Sequence, residues 1–445
     1  MDSFTSESRT FRIAVLLCSI IVAASAAFAA LNDRLGPTLD HPAIQYRTGT
    51  PTDAVSVLMV KLQSGNARLQ FEGPRGYLRS LIEALNIPVE SQIAVFSKTS
   101  LQADRIEPRN PRTIFFNDSV SVAWMLGGFI ELASHDPQRG TIFYTLPQQP
   151  SDRPTFQRRD DCLRCHLSDQ SLGVAGMMVR SMYTAPDGRP RLIFGGSLAV
   201  DHRTPIEDRW GGYYVTGVAG ALRHLGNAMF TDADLDNPQS VLAAKTLKLG
   251  SLANKFDTRN YLSPYSDVGA LMVFDHQMYM HNLITRVGWE IRAAQYDVQH
   301  KKAVNVADLL RETAQEFVDY LLFIDEAPLP TAIASPSGSS GGVSSAFAGK
   351  FAAQGPRDRK GRSLRDLDLQ SRLLRYPCSY MIYSEAFDAL PAEVKDAIYQ
   401  RMWQVLSGGL QEKKYARLSR VDRRAIIEIL RDTKKGLPGY FQPIP

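Results

Sequence analysis

In Cys162-Leu163-Arg164-Cys165-His166, Cys165 and His166 stand at i+3 and i+4 from Cys162, so two thiols and an imidazole share one face of a single helical turn. The chemistry open to such a face is covalent attachment of haem. The thiols add across two vinyl groups of one porphyrin, and the imidazole ligates the iron from the proximal side. The chain has 4 Cys and 8 His in 445 residues, so a chance occurrence of this pattern is expected on the order of one time in a thousand. The competing readings are a thioredoxin-like dithiol, half of a zinc site and a local disulfide. A dithiol of that kind needs a strand-turn-helix setting and a low-pKa first thiol, whereas Arg158-Arg159-Asp160-Asp161 reads as a charged loop opening a helix. Zinc needs two more ligands, and no second Cys-x2-Cys or His-x3-His pair is there to supply them.

An electron-carrying haem usually takes a second axial ligand, Met or His. His202 ranks first, because its segment Asp201-His202-Arg203-Thr204-Pro205 is turn-like and a neighbouring carboxylate could orient the ring. His224 ranks second and Met178 third; Met177, Met182 and Met229 are weaker options. Met177 and Met178 follow the motif so closely that the chain would have to turn sharply round the porphyrin edge, and both also suit a core strand. His276 and His281 are five apart on an expected helix, which is not the i, i+4 metal clasp. Arg180, Arg203 and Arg209 are propionate partners on charge grounds alone. No serine-triad motif, phosphate-cradling glycine loop or dinucleotide fingerprint is present, and Asp160-Asp161 suits a helix start better than a catalytic pair.

The expected compartment agrees with the motif. Arg9 and Arg12 precede an apolar run over 13–24, and Ala27-Phe28-Ala29 offers a small-x-small cleavage site, so 1–29 reads as an export signal. The alternative is an uncleaved anchor over 13–31. Cys18 follows Leu17 rather than a small residue, which argues against a lipoprotein. Either way the body is expected outside the cytoplasm, in the periplasm or exported, where haem is attached to such motifs. After cleavage three cysteines remain, which caps the protein at one covalent haem, and Cys378 in an apolar setting is expected to pack rather than react. The charge of +5 survives loss of the signal and is too mild to name a partner. Nucleic acid is not expected, and membrane association is expected only through an uncleaved N-terminal segment.

The elements that position these groups predict an α+β fold: a β-rich N-terminal half around the haem segment and a predominantly helical C-terminal half. Strand-like runs fall at 92–96, 113–116, 120–124 and 141–146, with a helix over 76–85 stopped by Pro88. Further short runs fall at 191–194 and 213–216. Helical periodicity then covers 266–297 and 307–323, the latter behind an Asn305 cap. Ser419 and Asp422 form a capping pair for a last helix that ends before Gly436. The expected division is 1–29 signal, 30–157 β-rich region, 158–330 haem-attachment and helical region, 331–362 flexible Ser/Gly-rich loop and 363–445 helical region.

The attachment motif resembles that of c-type cytochromes in general. More of the chain is similar to a group of large, single-haem, exported bacterial proteins labelled cytochrome c domain-containing. The segments that carry the resemblance are 96–102 (FSKTSLQ), 110–118 (NPRTIFFND), 208–217 (DRWGGYYVTG), 223–227 (RHLGN), 275–286 (DHQMYMHNLITR) and 383–391 (YSEAFDALP). It implies one haem c at Cys162, Cys165 and His166 and electron transfer with a partner protein or small molecule. No reaction comes with it. The chain before and after the motif is far longer than in a small class I cytochrome, so that fold is not expected. Two further functions stay open: a haem enzyme or sensor with an open or displaceable distal site for peroxide, a gas or a small oxidisable substrate, and a haem-free thiol-disulfide protein.

Overall fold

The computed structural model describes residues 38–191, 197–217, 222–236, 238, 248–330, 332–333 and 343–444. The expected export signal, most of the run at 191–194 and the Ser/Gly run at 335–342 lie outside these residues. The first elements are α1 (Ala54–Gln63) and α2 (Leu78–Ala84). Asp53 caps α1 by accepting from the amides of Val55 and Ser56, and its other oxygen accepts from Tyr144 Oη at 2.7 Å.

Strands β1 (Ile93–Val95), β2 (Arg112–Phe116), β3 (Val120–Trp124), β4 (Ile130–Asp136), β5 (Gly140–Leu146) and β6 (Gln157–Arg158) form an antiparallel meander. A ribbon of β7 (Val179–Ser181) and β8 (Leu198–Val200) stands apart, and β9 (Tyr213–Tyr214) returns to pair with β1, giving the order β6-β5-β4-β3-β2-β1-β9. The register makes each face explicit, since directly opposed residues share a side. Phe115, Val122, Leu132 and Tyr144 line up on one side, in the core that holds Val55 and Leu58 of α1 and Leu78 and Leu81 of α2. Ile114, Ala123, Glu131 and Thr145 form a row on the other side, next to Phe116, Ser121, Ala133 and Phe143.

Against that second side lies α4, numbered after α3 (Leu163–His166), which carries the motif; α4 spans Val268–Gln299 over 32 residues. It is buried nearly all round through Thr285, as a helix enclosed by a sheet and by other helices must be. The enclosing helices are α5 (Val306–Leu321), α6 (Val343–Ala353), α7 (Glu385–Asp388), α8 (Ala392–Leu406) and α9 (Arg420–Thr433). Asn305 caps α5, and Ser419 and Asp422 form a reciprocal capping box on α9, both as the sequence predicts.

The fold is therefore α+β, with an antiparallel sheet in the N-terminal half and helices toward the C-terminus, and it is not that of a small class I cytochrome. Two expectations need correction. The boundary at 157/158 falls inside β6, and β9 from the following region joins β1, so one sheet spans both expected regions. The stretch 331–362 is not all loop: its described part contains α6, whose Phe347 and Phe351, one turn apart, are buried. Phe347 packs 6.1 Å from Phe116 and Phe351 packs 4.8 Å from Tyr380, ring centre to ring centre. Ser-rich flanks hid a one-sided aromatic edge that α4 and the sheet needed as cover. Phe351→Ala should therefore cost about 3–5 kcal/mol of stability in urea unfolding; a loss near zero would mean that α6 is not part of the core.

Candidate haem-attachment site

The motif sits where β6 runs out. Arg158 pairs with Asp160 at 3.0 Å and Arg159 grips Asp161 at 2.9 and 2.7 Å, which shapes the charged turn before Cys162. The single turn of α3 follows, anchored by the buried side chain of Leu163. Cys162 is half-buried, Cys165 is exposed, and both are free thiols. His166 is half-buried with its ring 4.7 Å from that of Phe143 on the second side of the sheet.

Two hydrogen bonds hold His166, one at its backbone and one at its ring. The amide of Gly176 donates to the His166 carbonyl at 3.0 Å, and His166 Nδ1 lies 3.0 Å from the Gly176 carbonyl oxygen. A carbonyl only accepts, so Nδ1 carries the proton and Nε2 keeps its lone pair. Burial lowers the His166 pKa to about 4, Arg112 and Arg180 push the same way, and only the bond to Gly176 opposes. At neutral pH the ring is thus the neutral tautomer that ligates a metal through Nε2.

These residues fit haem better than the alternatives. Two thiols and a ligating nitrogen share one helical turn, and Nδ1 is tied back as in metal-bound imidazoles. The Cys162 thiol is pushed up to about 12 by burial and then by Asp161 and Glu131, the reverse of an activated dithiol nucleophile. Among the described residues no group of three or more His, Cys, Asp or Glu side chains converges to hold a metal ion, which leaves the zinc reading without ligands.

Of the distal candidates, His202 is buried in a stack, its ring centre 4.2 Å from that of Tyr320 and 4.4 Å from that of Phe323, and its Nδ1 is 2.8 Å from His276 Nδ1. His276 Nε2 is in turn 2.7 Å from Ser379 Oγ. His224 is buried edge-on to Trp210 and against Gly226. Met178 is half-buried, two residues beyond Gly176. His281 also belongs to the packing, 4.4 Å from the His135 ring with Nε2 2.8 Å from the Asp118 carbonyl. Cys378 is buried, and burial raises its pKa, as expected of a packing residue.

Of the three arginines singled out in the sequence, only Arg180 lies within electrostatic reach of His166. Arg203 is bound to Asp201 at 2.5 Å and lies over Tyr279, while Arg209 is buried on the carbonyls of Thr204 and His202. Sequence reasoning missed Arg112 and Glu131, which pair at 3.1 Å on the motif's side of the sheet, with Arg112 Nε and Glu131 Oε1 buried and unpartnered. Buried Tyr213 is in electrostatic reach of Arg112 and Arg180. The available signal was charge at core-facing positions of strands. A groove of about 550 Å³ opens along Phe129, Thr145, Gln157 and Arg159. It borders the motif through Arg159 without including Cys162, Cys165 or His166.

No family model, no curated protein and no solved structure matches the chain. No helix among the described residues is long and apolar enough to cross a membrane.

The buried imidazoles tie stability to pH. Burial lowers the His135 pKa from 6.5 to about 4, so between these values the unfolded chain binds a proton that the folded chain excludes. Its stabilising contribution is present above about 6.5 and is lost as pH falls towards 4. Burial raises Asp275 to about 7, which acts with the opposite sign, so the clean measurement is a difference between variants. His135→Gln, which keeps a partner for Thr285, should gain on the parent as pH falls through that window, by up to about 3 kcal/mol in denaturant unfolding. A pH-independent gap contradicts the assignment of His135 as a buried neutral imidazole.

Proposed function

We propose that the chain is an exported single-haem c-type cytochrome, of the kind its sequence resembles, in which Cys162 and Cys165 hold haem c through thioether bonds and His166 is the proximal ligand. The observation that carries this is the pairing of two free thiols with an imidazole whose Nδ1 is committed to the Gly176 carbonyl. Bound haem supplies a one-electron iron couple. The chain's part is to orient the imidazole, to keep its Nε2 unprotonated, and to offer Arg180 and Arg112 as partners for carboxylate groups. Cys165 and Arg164 are exposed, so one edge of the site faces solvent, where a partner protein or small molecule can exchange electrons.

A second reading is an enzyme or sensor with an open distal position. It is favoured by the polar set Arg112, Glu131, Arg180 and Tyr213 on the motif's side. The haem-free thiol-disulfide reading has against it the raised pKa of Cys162.

Intact-mass measurement of chain made in a host competent for cytochrome maturation should show one haem that survives acid-acetone extraction. Cys162→Ala and Cys165→Ala should each leave a single thioether; a colourless parent protein refutes the haem readings. Carbon monoxide bound by the ferrous protein within mixing time selects the open distal site, and failure to bind selects the carrier. His202→Ala should leave the resting spin state unchanged, since His202 is locked in its own stack; a changed spin state returns it to the ligand set.

A further inference from the structure

Behind the proximal imidazole stands a residue that the attachment motif does not contain. Asn282 lies on α4 and is buried. Its Nδ2 donates to the Met177 carbonyl at 2.7 Å, while its Oδ1 is buried with no hydrogen-bond partner. That oxygen rests against the Cα of Gly176: a Cβ built there would sit 2.0 Å from it. The opposite amide orientation would set oxygen against the Met177 carbonyl, so the network decides which atom is which. A buried amide with one end unpaired is a poor core residue, and an aliphatic side chain of similar size would pack without that penalty. Its placement instead brackets the peptide whose carbonyl faces the His166 ring: Oδ1 packs on the Gly176 Cα at one end and Nδ2 bonds the Met177 carbonyl just beyond the other. Gly176 is gripped from the front by the two hydrogen bonds to His166 and packed from behind by Asn282.

We propose that Asn282 is a positioning residue for the iron ligand: by bonding the Met177 carbonyl and packing on the Gly176 Cα it fixes, from α4, both ends of the peptide between them, keeps the Gly176 carbonyl on His166 Nδ1, and so sets the orientation and donor strength of Nε2. The inference rests on the haem reading above. Hydrogen bonding at Nδ1 raises the basicity of a ligating imidazole and stabilises the oxidised metal, so loosening the carbonyl must raise the reduction potential and weaken the axial bond. Any repacking of α4 reaches the iron ligand by the same route.

The test uses the full haem-loaded chain and three variants. Asn282→Leu is nearly isosteric, uncharged and removes the donor; Asn282→Ala removes the whole grip with little steric risk. Thr285→Val is the control, a buried change on the same helix whose hydroxyl serves His135 and the His281 carbonyl instead. Potentiometry and ferric electron paramagnetic resonance are the readouts. Both Asn282 variants should show a higher potential and a several-fold larger high-spin fraction at neutral pH, with Thr285→Val unchanged in both. An Asn282→Leu or Asn282→Ala protein with the parent's potential and spin state overturns the positioning role while leaving the haem reading intact. Equal shifts in Thr285→Val reduce it to a general effect of core damage and overturn it too. A parent chain without covalent haem overturns the haem reading itself.

Discussion

The enclosure of α4 is the constraint on which the rest of the structure depends. Through Thr285 this helix has almost no solvent-facing surface, yet its middle carries Asp275, His276, Gln277, His281, Asn282 and Thr285. Each buried polar group must find a partner or lose the free energy of its hydration. The partners come from many parts of the chain: Trp210 for Asp275, Ser379 for His276, the Asn117 carbonyl for Gln277, the Asp118 carbonyl for His281, Met177 for Asn282 and His135 for Thr285. A helix held by apolar contacts alone could slide or rotate by a residue at modest cost. With these bonds, a shift of one residue would strand several polar groups at once, so α4 is locked in one register against sheet and helices alike.

That lock gives the protein its electrostatic character. Burial keeps the histidines neutral and raises Asp275 and Asp267 to about 7 each, even though Arg209 and Trp210 oppose the shift at Asp275 and helix-capping amides oppose it at Asp267. The Ser379–His276–His202 chain has the atom types of a hydrolytic relay. All three residues are buried, however, and the ring of His202 is stacked between aromatic neighbours, so substrate has no approach to it. It serves to tie α4 to the turn after β8 and to the segment before α7.

Around the motif the design differs. One side chain, Leu163, inserts into the core, His166 is half-buried against Phe143, and Arg164 and Cys165 stay exposed. The surrounding charge is arranged in cross-strand rows, with Arg112 and Glu131 near Phe143 because the antiparallel register brings alternate residues of β2, β4 and β5 to the same side. Such a row can meet the carboxylates of a bound group or a small reactant.

What the sequence determined by itself is local. The spacing of Cys162, Cys165 and His166 is a property of one helical turn, and the caps at Asn305 and Ser419 and the β3 strand 120–124 follow from neighbours in the chain. The α+β class was legible for the same reason, because periodicity changes from two to 3.6 along the chain. Tertiary structure decided everything that depends on pairing across distance. It put Gly176 and Asn282 behind His166, 10 and 116 positions away in sequence numbering, folded α6 out of a stretch that looked like linker, and placed Arg112 beside Glu131. It also withdrew His202 into an aromatic stack. A turn-like tripeptide beside a carboxylate says nothing about which rings will close over it, because that is settled by the volume left between α4 and α5 once the sheet has taken the other side of α4.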